Sequence, residues 1–273
     1  IDITAEGCSP ISLPLKVQVW DFVLPDGTHL QNAFTYHQAQ IGGIHGNRWN
    51  PEMAQGYQDL ILDHRLGIDH LYRREPPDIG MIQRAVGKGM NAFNLMFAGS
   101  GGRKQAVLDT LKDYVPRIRR AGLLDLAYLY GFDEIRADKF EAARDLFESV
   151  KRLYPEIPTM TTAADPSFGT ESGLRSAVDI WVPLTPHYDL AAAEELRREG
   201  KQMWWYVCLV PVAPYANWFI EYPTIESRLL MGAMSYKYRV DGFLYYLINN
   251  GWERNKKVIS CGPYTEWNPG SCQ

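Results

Sequence analysis

The stretch Leu123-Leu124-Asp125-Leu126-Ala127-Tyr128-Leu129-Tyr130-Gly131-Phe132-Asp133-Glu134 decides the fold predicted for this chain. It follows a helix predicted to end at Gly122, and its apolar and aromatic residues predict a buried strand. The strand ends at a glycine and then at two adjacent carboxylates. In α/β enzymes the catalytic groups lie at the carboxyl ends of parallel strands. The same pair also opens many helices, because acidic side chains suit the positive end of the helix dipole.

Eight apolar stretches of this kind alternate with helices along the chain. The predicted strands cover residues 33–36, 68–72, 91–97, 123–130, 158–162, 178–184, 203–209 and 242–248. The predicted helices cover residues 53–65, 78–88, 104–120, 139–153, 190–199 and 225–238. Strands that are apolar on both faces are typical of a parallel sheet covered by helices. Eight of them favour an α/β fold of the (β/α)8 TIM-barrel type over an open sheet.

Two sequence features bear on the alternatives to a barrel. Residues 41–46, Ile-Gly-Gly-Ile-His-Gly, do not fit the GxGxxG pattern of a dinucleotide-binding sheet, and the sequence has no Walker A motif.

The predicted domains are a lead-in over residues 1–32, a barrel over 33–252 and a C-terminal extension over 253–273. The lead-in has one predicted strand, residues 15–22, which alternates with a period of two and is the expected remnant of a preceding β-sandwich module.

Composition excludes several classes of function. The 273 residues carry a net charge of −4 and no basic stripe, which excludes nucleic acid as a partner. No apolar run is long enough to span a membrane. No metal or other cofactor is expected: there is no CxxC, and the spacing of His37, His45 and His187 is not a ligand motif.

The cysteines bear on the compartment. Cys261 and Cys272 flank a loop and would close the C-terminal extension if they pair. Such a pair implies an oxidising, secreted or extracytoplasmic location. The chain starts at Ile1 without a signal peptide, so a mature or excised fragment is expected.

The predicted strand ends are aromatic, rich in amides and poor in lysine, which favours a neutral sugar site. They carry Tyr36, His37, His45, Asp133, Glu134, His187, Tyr188, Asp189, Tyr215, Asn217, Trp218, Asn249, Asn250 and Trp252. Side chains alternate between faces along a strand, but beyond Gly131 this rule no longer applies, so both carboxylates can face the mouth. Two crowded carboxyl groups share protons unequally, which suits one of them to act as general acid on a glycosidic oxygen.

Several segments of the sequence resemble glycoside hydrolase family 123, which contains β-N-acetylgalactosaminidases. They are Leu-Tyr-Gly-Phe-Asp-Glu at 129–134, Trp-Trp-Tyr-Val-Cys at 204–208, Pro-Tyr-Ala-Asn-Trp-Phe-Ile at 214–220, Ile-Glu-Ser-Arg at 225–228 and Asp-Gly-Phe-Leu-Tyr-Tyr at 241–246. The resemblance implies a (β/α)8 catalytic barrel, often flanked by β-sandwich modules. It also implies a retaining, substrate-assisted hydrolysis that removes β-linked N-acetylgalactosamine from glycans.

In the implied mechanism, the 2-acetamido oxygen of the substrate attacks the anomeric carbon and forms an oxazolinium-type intermediate. The resemblance makes Glu134 the general acid/base. It makes Asp133 the acceptor of the acetamido N–H, which orients that group. The implied substrate is a glycan with terminal β-N-acetylgalactosamine.

The resemblance also implies a set of sugar contacts. Tyr206 would donate a hydrogen bond to the acetamido carbonyl, and Trp204 would form a wall of the sugar site. The further implied contacts are His45, Trp218, Tyr246 and Asn249. Tyr246 stands where the family pattern leads us to expect Trp, which leaves the galacto or gluco preference open. The alternatives are a β-N-acetylhexosaminidase of other sugar or endo specificity and a non-catalytic carbohydrate-binding barrel.

Overall fold

The structure is a computed structural model that describes residues 1–25, 27–218 and 222–249. Asn250, Trp252 and the predicted extension over 253–273, with Cys261 and Cys272, lie outside the described residues. The domain boundaries at residues 32 and 252 stay a prediction.

Short strands and helices alternate, as the α/β pattern of the sequence predicts. The strands are β1 Asp2–Ile3, β2 Ile11–Ser12, β3 Gln31–Phe34, β4 Phe93–Phe97, β5 Ala127–Tyr130, β6 Thr159–Thr161, β7 Ile180–Trp181, β8 Gln202–Met203, β9 Trp205–Tyr206 and β10 Gly242–Tyr245. The helices are α1 Gln38–His45, α2 Pro51–Asp63, α3 Ile79–Gly87, α4 Lys104–Arg120, α5 Phe140–Leu153, α6 Leu190–Arg198, α7 Ile225–Arg228 and α8 Ser235–Lys237. A π-helical segment, Leu229–Met234, joins α7 to α8. Among the described residues, no helix is both long enough and apolar enough to cross a membrane.

Parallel strands form two sheets. One has the order β3-β10-β9, and the other runs from β4 to β8 in chain order. Trp204 alone separates β8 from β9, and its backbone N–H donates to the Trp181 carbonyl at 2.8 Å. A further parallel bridge joins Leu184 to Tyr206. The two sheets therefore continue into each other along residues 202–206.

The predicted second strand, residues 68–72, departs most from the expected eight-stranded barrel. It forms no strand and pairs with Thr35 through a single bridge at Asp69. Toward β4, side-chain bonds supplement a backbone bond from the Phe97 N–H to the Arg73 carbonyl at 2.7 Å. The Asn94 N–H donates to Asp69 Oδ2 at 2.8 Å, and Asn94 Nδ2 donates to the Leu71 carbonyl at 2.9 Å. The described residues thus form two parallel sheets and not one continuous closed sheet.

Both faces of the sheets are buried. Along β5, Tyr128 and Tyr130 pack with Met160 and Trp204 in one apolar cluster, whereas Leu129 joins a second cluster with residues of α4 and α5. Successive side chains of a strand point to opposite faces, so a strand covered on both sides must be apolar throughout. This explains the continuous apolar run from which the fold was predicted.

Two segments differ from the sequence prediction. Residues 15–22 form no strand, and Val19 is 88% exposed, because among the described residues no neighbouring strand pairs with them. The lead-in pairs β1 with β2 instead. Helix α1 was not predicted, since Gly42 and Gly43 weaken its helical pattern.

Candidate active site

A cavity of about 230 Å³ lies where several parallel strands end. Its lining consists of Tyr72, Asp133, Glu134, Thr162, Tyr206, Cys208, Leu209, Leu244 and Tyr246. Apart from Tyr72, which ends the irregular segment 68–72, these residues come from β9, β10 and the segments that follow β5, β6, β9 and β10. The carboxyl ends of parallel strands meet at one edge of the sheets, which is how residues far apart in sequence come together here.

Three hydroxyl groups hold the Asp133 carboxylate. Its Oδ1 accepts hydrogen bonds from the Tyr130 hydroxyl at 2.5 Å and from Thr162 Oγ1 at 2.8 Å. Its Oδ2 accepts from the Tyr72 hydroxyl at 3.3 Å. Burial, together with the nearby Asp133 charge, raises the pKa of Tyr72 and of Tyr130 well above the ordinary tyrosine value, so both phenols stay protonated donors. The carboxylate is therefore fixed in orientation.

Among the residues that the structure describes, one side-chain donor holds the Glu134 carboxylate. The Tyr206 hydroxyl donates to Glu134 Oε1 at 2.5 Å. Burial and the Glu134 carboxylate raise the pKa of Tyr206 well above its ordinary value. Cys208 lines the same cavity, and burial raises the pKa of its thiol, so it remains a neutral wall. Among the described residues, Glu134 Oε2 accepts no hydrogen bond, whereas both oxygens of Asp133 accept one, and Asp133 Oδ2, with its single 3.3 Å bond, can accept another from a ligand.

The backbone of the turn that carries the two acids, residues 132–134, interrupts the alternation of side chains along the strand. Phe132 has a φ of 56° and Glu134 a φ of 48°, both in the left-handed region that costs a non-glycine residue about 1–2 kcal/mol. The Glu134 N–H donates to Thr162 Oγ1 at 2.9 Å, and the Phe132 N–H donates to the Gly99 carbonyl at 2.8 Å. These bonds hold the strained turn, and the turn directs both acids into one cavity.

Gly131 is required just before this turn. A Cβ at this position would lie 2.7 Å from the Ala98 Cβ and 3.4 Å from the Gly99 carbonyl oxygen. The close approach lets the Ala98 N–H donate to the Tyr130 carbonyl at 2.8 Å. Glycine therefore allows the end of β4 to pack against the turn that carries the acids.

A buried polar network fixes the position of Tyr130 on β5. The Tyr130 N–H donates to Asn94 Oδ1 at 3.0 Å, and Asp69 Oδ2 accepts from the Tyr128 hydroxyl at 2.7 Å. Arg73 pairs with Asp69 at 3.0 Å, which compensates that buried carboxylate. The network fixes β4 and β5 relative to each other and so positions the phenol that donates to Asp133.

The predicted site residues divide into two groups. Asp133, Glu134, Tyr206 and Tyr246 line the one cavity. Trp204 does not: it is fully buried, its ring packs edge-on against Tyr128, and its Nε1 donates to Gln202 Oε1 at 2.8 Å. The structure thus places Trp204 in an apolar core cluster and not in the cavity lining, where a wall of the sugar site was expected.

The other three predicted sugar contacts also lie away from the cavity lining. Trp218 packs against Phe243 and Tyr245, with ring centroids 4.8 and 4.7 Å away. Asn249 is buried; its Oδ1 accepts from the His37 N–H at 2.9 Å, and its Nδ2 donates to the His37 carbonyl at 3.2 Å. His45 ends α1 and forms a 2.8 Å hydrogen bond with the Tyr57 hydroxyl. Each of these three side chains thus bonds or packs with other residues of the protein, and none of them is part of the cavity lining.

Sequence reasoning missed three residues that hold Asp133: Tyr72, Tyr130 and Thr162. Thr162 directly follows β6, so the rule that led to the strand ends could have found it. Tyr72 ends the predicted strand 68–72, so the same rule applied to that strand could also have found it, although the segment forms no regular strand. His37 and His70 have ring centroids 4.9 Å apart. In the part of the chain that the structure describes, no group of three or more His, Cys, Asp or Glu side chains could hold a metal ion.

The sequence profile of the glycoside hydrolase 123 catalytic domain matches residues 84–272, more than half of the chain. The chain belongs to glycoside hydrolase family 123. The match includes both acids and every other residue of the cavity lining except Tyr72. No curated protein matches the sequence.

Solved structures extend the comparison to most of the chain. The chain is similar to a family 123 glycoside hydrolase from Clostridium perfringens, which was analysed for glycolipid glycan hydrolysis. The TM-score is 0.63 at 14% identity, over 90% of this chain and 53% of that one. The chain thus spans about half the length of that protein, and at this identity the likeness concerns the fold alone. A glycerophosphodiester phosphodiesterase from Parabacteroides distasonis matches with a TM-score of 0.36 at 14% identity, over 66% of this chain and 62% of that one.

Proposed function

We propose that this chain is the catalytic part of a retaining glycosidase that removes β-linked N-acetylgalactosamine from glycans by substrate-assisted catalysis. Family membership supports glycoside hydrolysis. The observation that carries the finer proposal is the unequal holding of two adjacent acids. Within the described part of the chain, Asp133 accepts from three hydroxyl donors, and the Glu134 side chain accepts from Tyr206 alone. The first arrangement suits a fixed acceptor, and the second suits a group that must exchange a proton.

In this mechanism Asp133 accepts the acetamido N–H and directs the acetamido oxygen at the anomeric carbon. Glu134 donates its proton to the glycosidic oxygen as the bond to the aglycone breaks. The carboxylate of Glu134 then removes a proton from the water that opens the oxazolinium-type intermediate. Because the substrate supplies its own nucleophile, two neighbouring acids suffice without a third across the cavity.

The direct test is hydrolysis of β-N-acetylgalactosaminides by the Glu134→Gln and Asp133→Asn variants. We expect Glu134→Gln to lower kcat on a poor leaving group about 10²- to 10⁴-fold, because general acid catalysis is lost. An activated aryl leaving group should recover part of that loss in this variant but not in Asp133→Asn. A thiazoline mimic of the intermediate should inhibit the wild type.

Glu141→Gln, at an exposed acid in the first turn of α5, is the matched control and should leave kcat unchanged. Full activity of Glu134→Gln on the poor leaving group would contradict the assigned role. Insensitivity to the thiazoline would argue for a protein nucleophile. A comparison of β-N-acetylgalactosaminides with β-N-acetylglucosaminides determines the sugar preference.

The proposal extends to the fold and to the natural substrate. We propose a (β/α)8 barrel in which residues 68–72 take the place of the second strand. Backbone hydrogen bonds support it: Asp69 bonds with Phe34 and Tyr36 on one side, and the Arg73 carbonyl accepts from Phe97 on the other. We further propose a glycolipid or glycoprotein glycan as substrate, supported by the glycolipid glycans of the Clostridium perfringens relative. The secreted or extracytoplasmic location is also proposed.

A further inference from the structure

A second, larger cavity of about 510 Å³ lies between the start of α1, residues 49–51 and helices α2 and α3. It shares no lining residue with the cavity of the two acids. Its walls include Trp49, Gln38, Gln55, Gln58 and Arg84. The volume exceeds what one sugar ring needs, and the lining combines one aromatic surface with several amides.

Trp49 is a fixed wall of this cavity. Its ring packs on Gly42, where an added Cβ would lie 3.0 Å from Nε1. The His45 ring lies nearly parallel to it, with centroids 5.8 Å apart and an interplanar angle of 19°. Tyr57 packs against both rings and forms a hydrogen bond with His45. A preorganised aromatic surface binds a ligand without the loss of side-chain entropy that a mobile one incurs.

The amides of the cavity include oriented groups with spare hydrogen-bonding capacity. Gln58 is buried, and its Nε2 donates to Gln38 Oε1 at 3.0 Å. This bond leaves Gln38 Nε2 as a donor that, among the described residues, has no partner. Gln55 is exposed at the entrance, and in the described part of the chain its amide likewise makes no hydrogen bond. Amides that both donate and accept match the paired roles of sugar hydroxyl groups.

The positive charge of Arg84 in the cavity is compensated by a carboxylate, so the cavity favours an uncharged ligand over an anion. The Arg84 guanidinium pairs with Asp59 and also donates to Gln58 Oε1. Lys88 pairs with the same carboxylate at 3.2 Å. An anion bound here would have to compete with Asp59 for the guanidinium.

We propose that this cavity is a secondary site that binds an uncharged sugar residue of a glycan, separate from the cavity that cleaves it. The choice of a carbohydrate rests on the proposed glycosidase function. The Trp49 ring stacks against the C–H face of the sugar, and Gln38 and Gln55 bond its hydroxyl groups. Such a site holds a branched or repeated glycan while the catalytic cavity acts on its terminal residue, and thereby raises the effective substrate concentration.

Binding of methyl β-galactopyranoside and of lactose, followed by saturation-transfer NMR and calorimetric titration, tests the proposal. Neither sugar carries the acetamido group that Asp133 is proposed to hold. We expect wild type and Glu134→Gln to bind with Kd on the order of 1 mM. Trp49→Ala should weaken binding about tenfold or more. Gln55→Ala should weaken it about fivefold, and because Gln55 is exposed on a helix, alanine preserves the fold.

The matched control is Gln83→Ala, at an exposed glutamine of α3 that does not line the cavity, which should bind like wild type. Equal binding by wild type, Trp49→Ala and Gln55→Ala overturns the proposal, as does loss of binding in Glu134→Gln alone or no wild-type binding at roughly 20 mM sugar. Hydrolysis of an aryl β-N-acetylgalactosaminide by the same proteins separates the two proposals. The Trp49 and Gln55 variants should keep wild-type kcat, and an inactive wild type would instead overturn the proposed function.

Discussion

Thr162→Val is the sharpest test of how the two acids are held, because one hydroxyl group serves both of them. Thr162 Oγ1 donates to Asp133 Oδ1 at 2.8 Å and accepts from the Glu134 N–H at 2.9 Å. It also lies 3.2 Å from the Tyr130 hydroxyl. Thr162 is only 5% exposed, so water replaces the hydroxyl poorly. Valine has the same branched shape and removes the hydroxyl alone.

The expected magnitude follows from the bonds that are lost. A hydrogen bond to a charged group contributes about 1.5–3 kcal/mol, and a buried N–H left without a partner costs about 1–3 kcal/mol. We expect the free energy of unfolding to fall by about 2–4 kcal/mol, since part of each term is recovered by relaxation. If about 2 kcal/mol of this orients Asp133 in the transition state, kcat/KM falls about 30-fold.

The assay combines steady-state hydrolysis of an aryl β-N-acetylgalactosaminide with denaturant unfolding of the same variants. Thr162→Ser is the matched control: it keeps Oγ1 and should retain kcat/KM within about threefold of wild type. The loss in Thr162→Val should appear mainly in kcat, because both acids are proposed to act on the reacting centre. The reasoning is refuted if Thr162→Val keeps wild-type kcat, or if Thr162→Ser loses as much as Thr162→Val.

Three further predictions test other parts of the structure. Tyr206→Phe removes the hydroxyl that donates to Glu134, the proposed general acid, at 2.5 Å and should lower kcat about 10- to 100-fold in steady-state assays; an unchanged kcat would mean that the bond has no role in the reaction. Gly242→Ala would place a Cβ 2.3 Å from the buried Trp204 ring and should destabilise by about 1–3 kcal/mol in denaturant unfolding, whereas Gly87→Ala, which meets open space in α3, should not. Burial, with minor contributions from neighbouring charges, lowers the pKa of His70 to about 4, so the unfolded state takes up its proton first as the pH falls below about 6.5. Wild type should therefore lose stability relative to His70→Asn between about pH 6.5 and pH 4, and parallel pH curves of unfolding free energy would contradict this assignment.

The regular elements were predictable because they depend on local patterns. Helix α4 occupies the predicted residues 104–120, and β5 lies within the predicted strand 123–130. Helix α2 begins at Pro51, two residues before the predicted start at residue 53, since the Asn50 side chain caps it by accepting from the Met53 N–H. Patterns of this kind need only the residues of the element itself and the knowledge that one face is buried. The strand predicted over 15–22 is absent because a strand also needs a partner, which no local pattern guarantees.

The site was predictable only in part. The position of Asp133 and Glu134 at the end of β5 follows from the sequence, because an apolar run must end where polar residues begin. The aromatic residues were harder to assign: Tyr206 of β9 lines the cavity, whereas Trp204, two positions earlier and between β8 and β9, is buried in the core. Both side chains belong to the same apolar cluster, but Tyr206 lies nearer the carboxyl ends of the strands, where the cavity opens. Which residue reaches the cavity depends on where the neighbouring strands end.

The sequence by itself therefore determined the α/β class, the two acids and their placement at a strand end, because periodicity and the order of elements are properties of the chain alone. Only the tertiary structure decided how the acids are held. Tyr72 and Thr162 reach Asp133 from segments 61 and 29 residues away in sequence. The left-handed turn at Phe132 and Glu134 directs both acids inward, and it is maintained by bonds to other strands. Contacts of this kind depend on register and packing between distant segments, on which a single stretch of sequence carries no information.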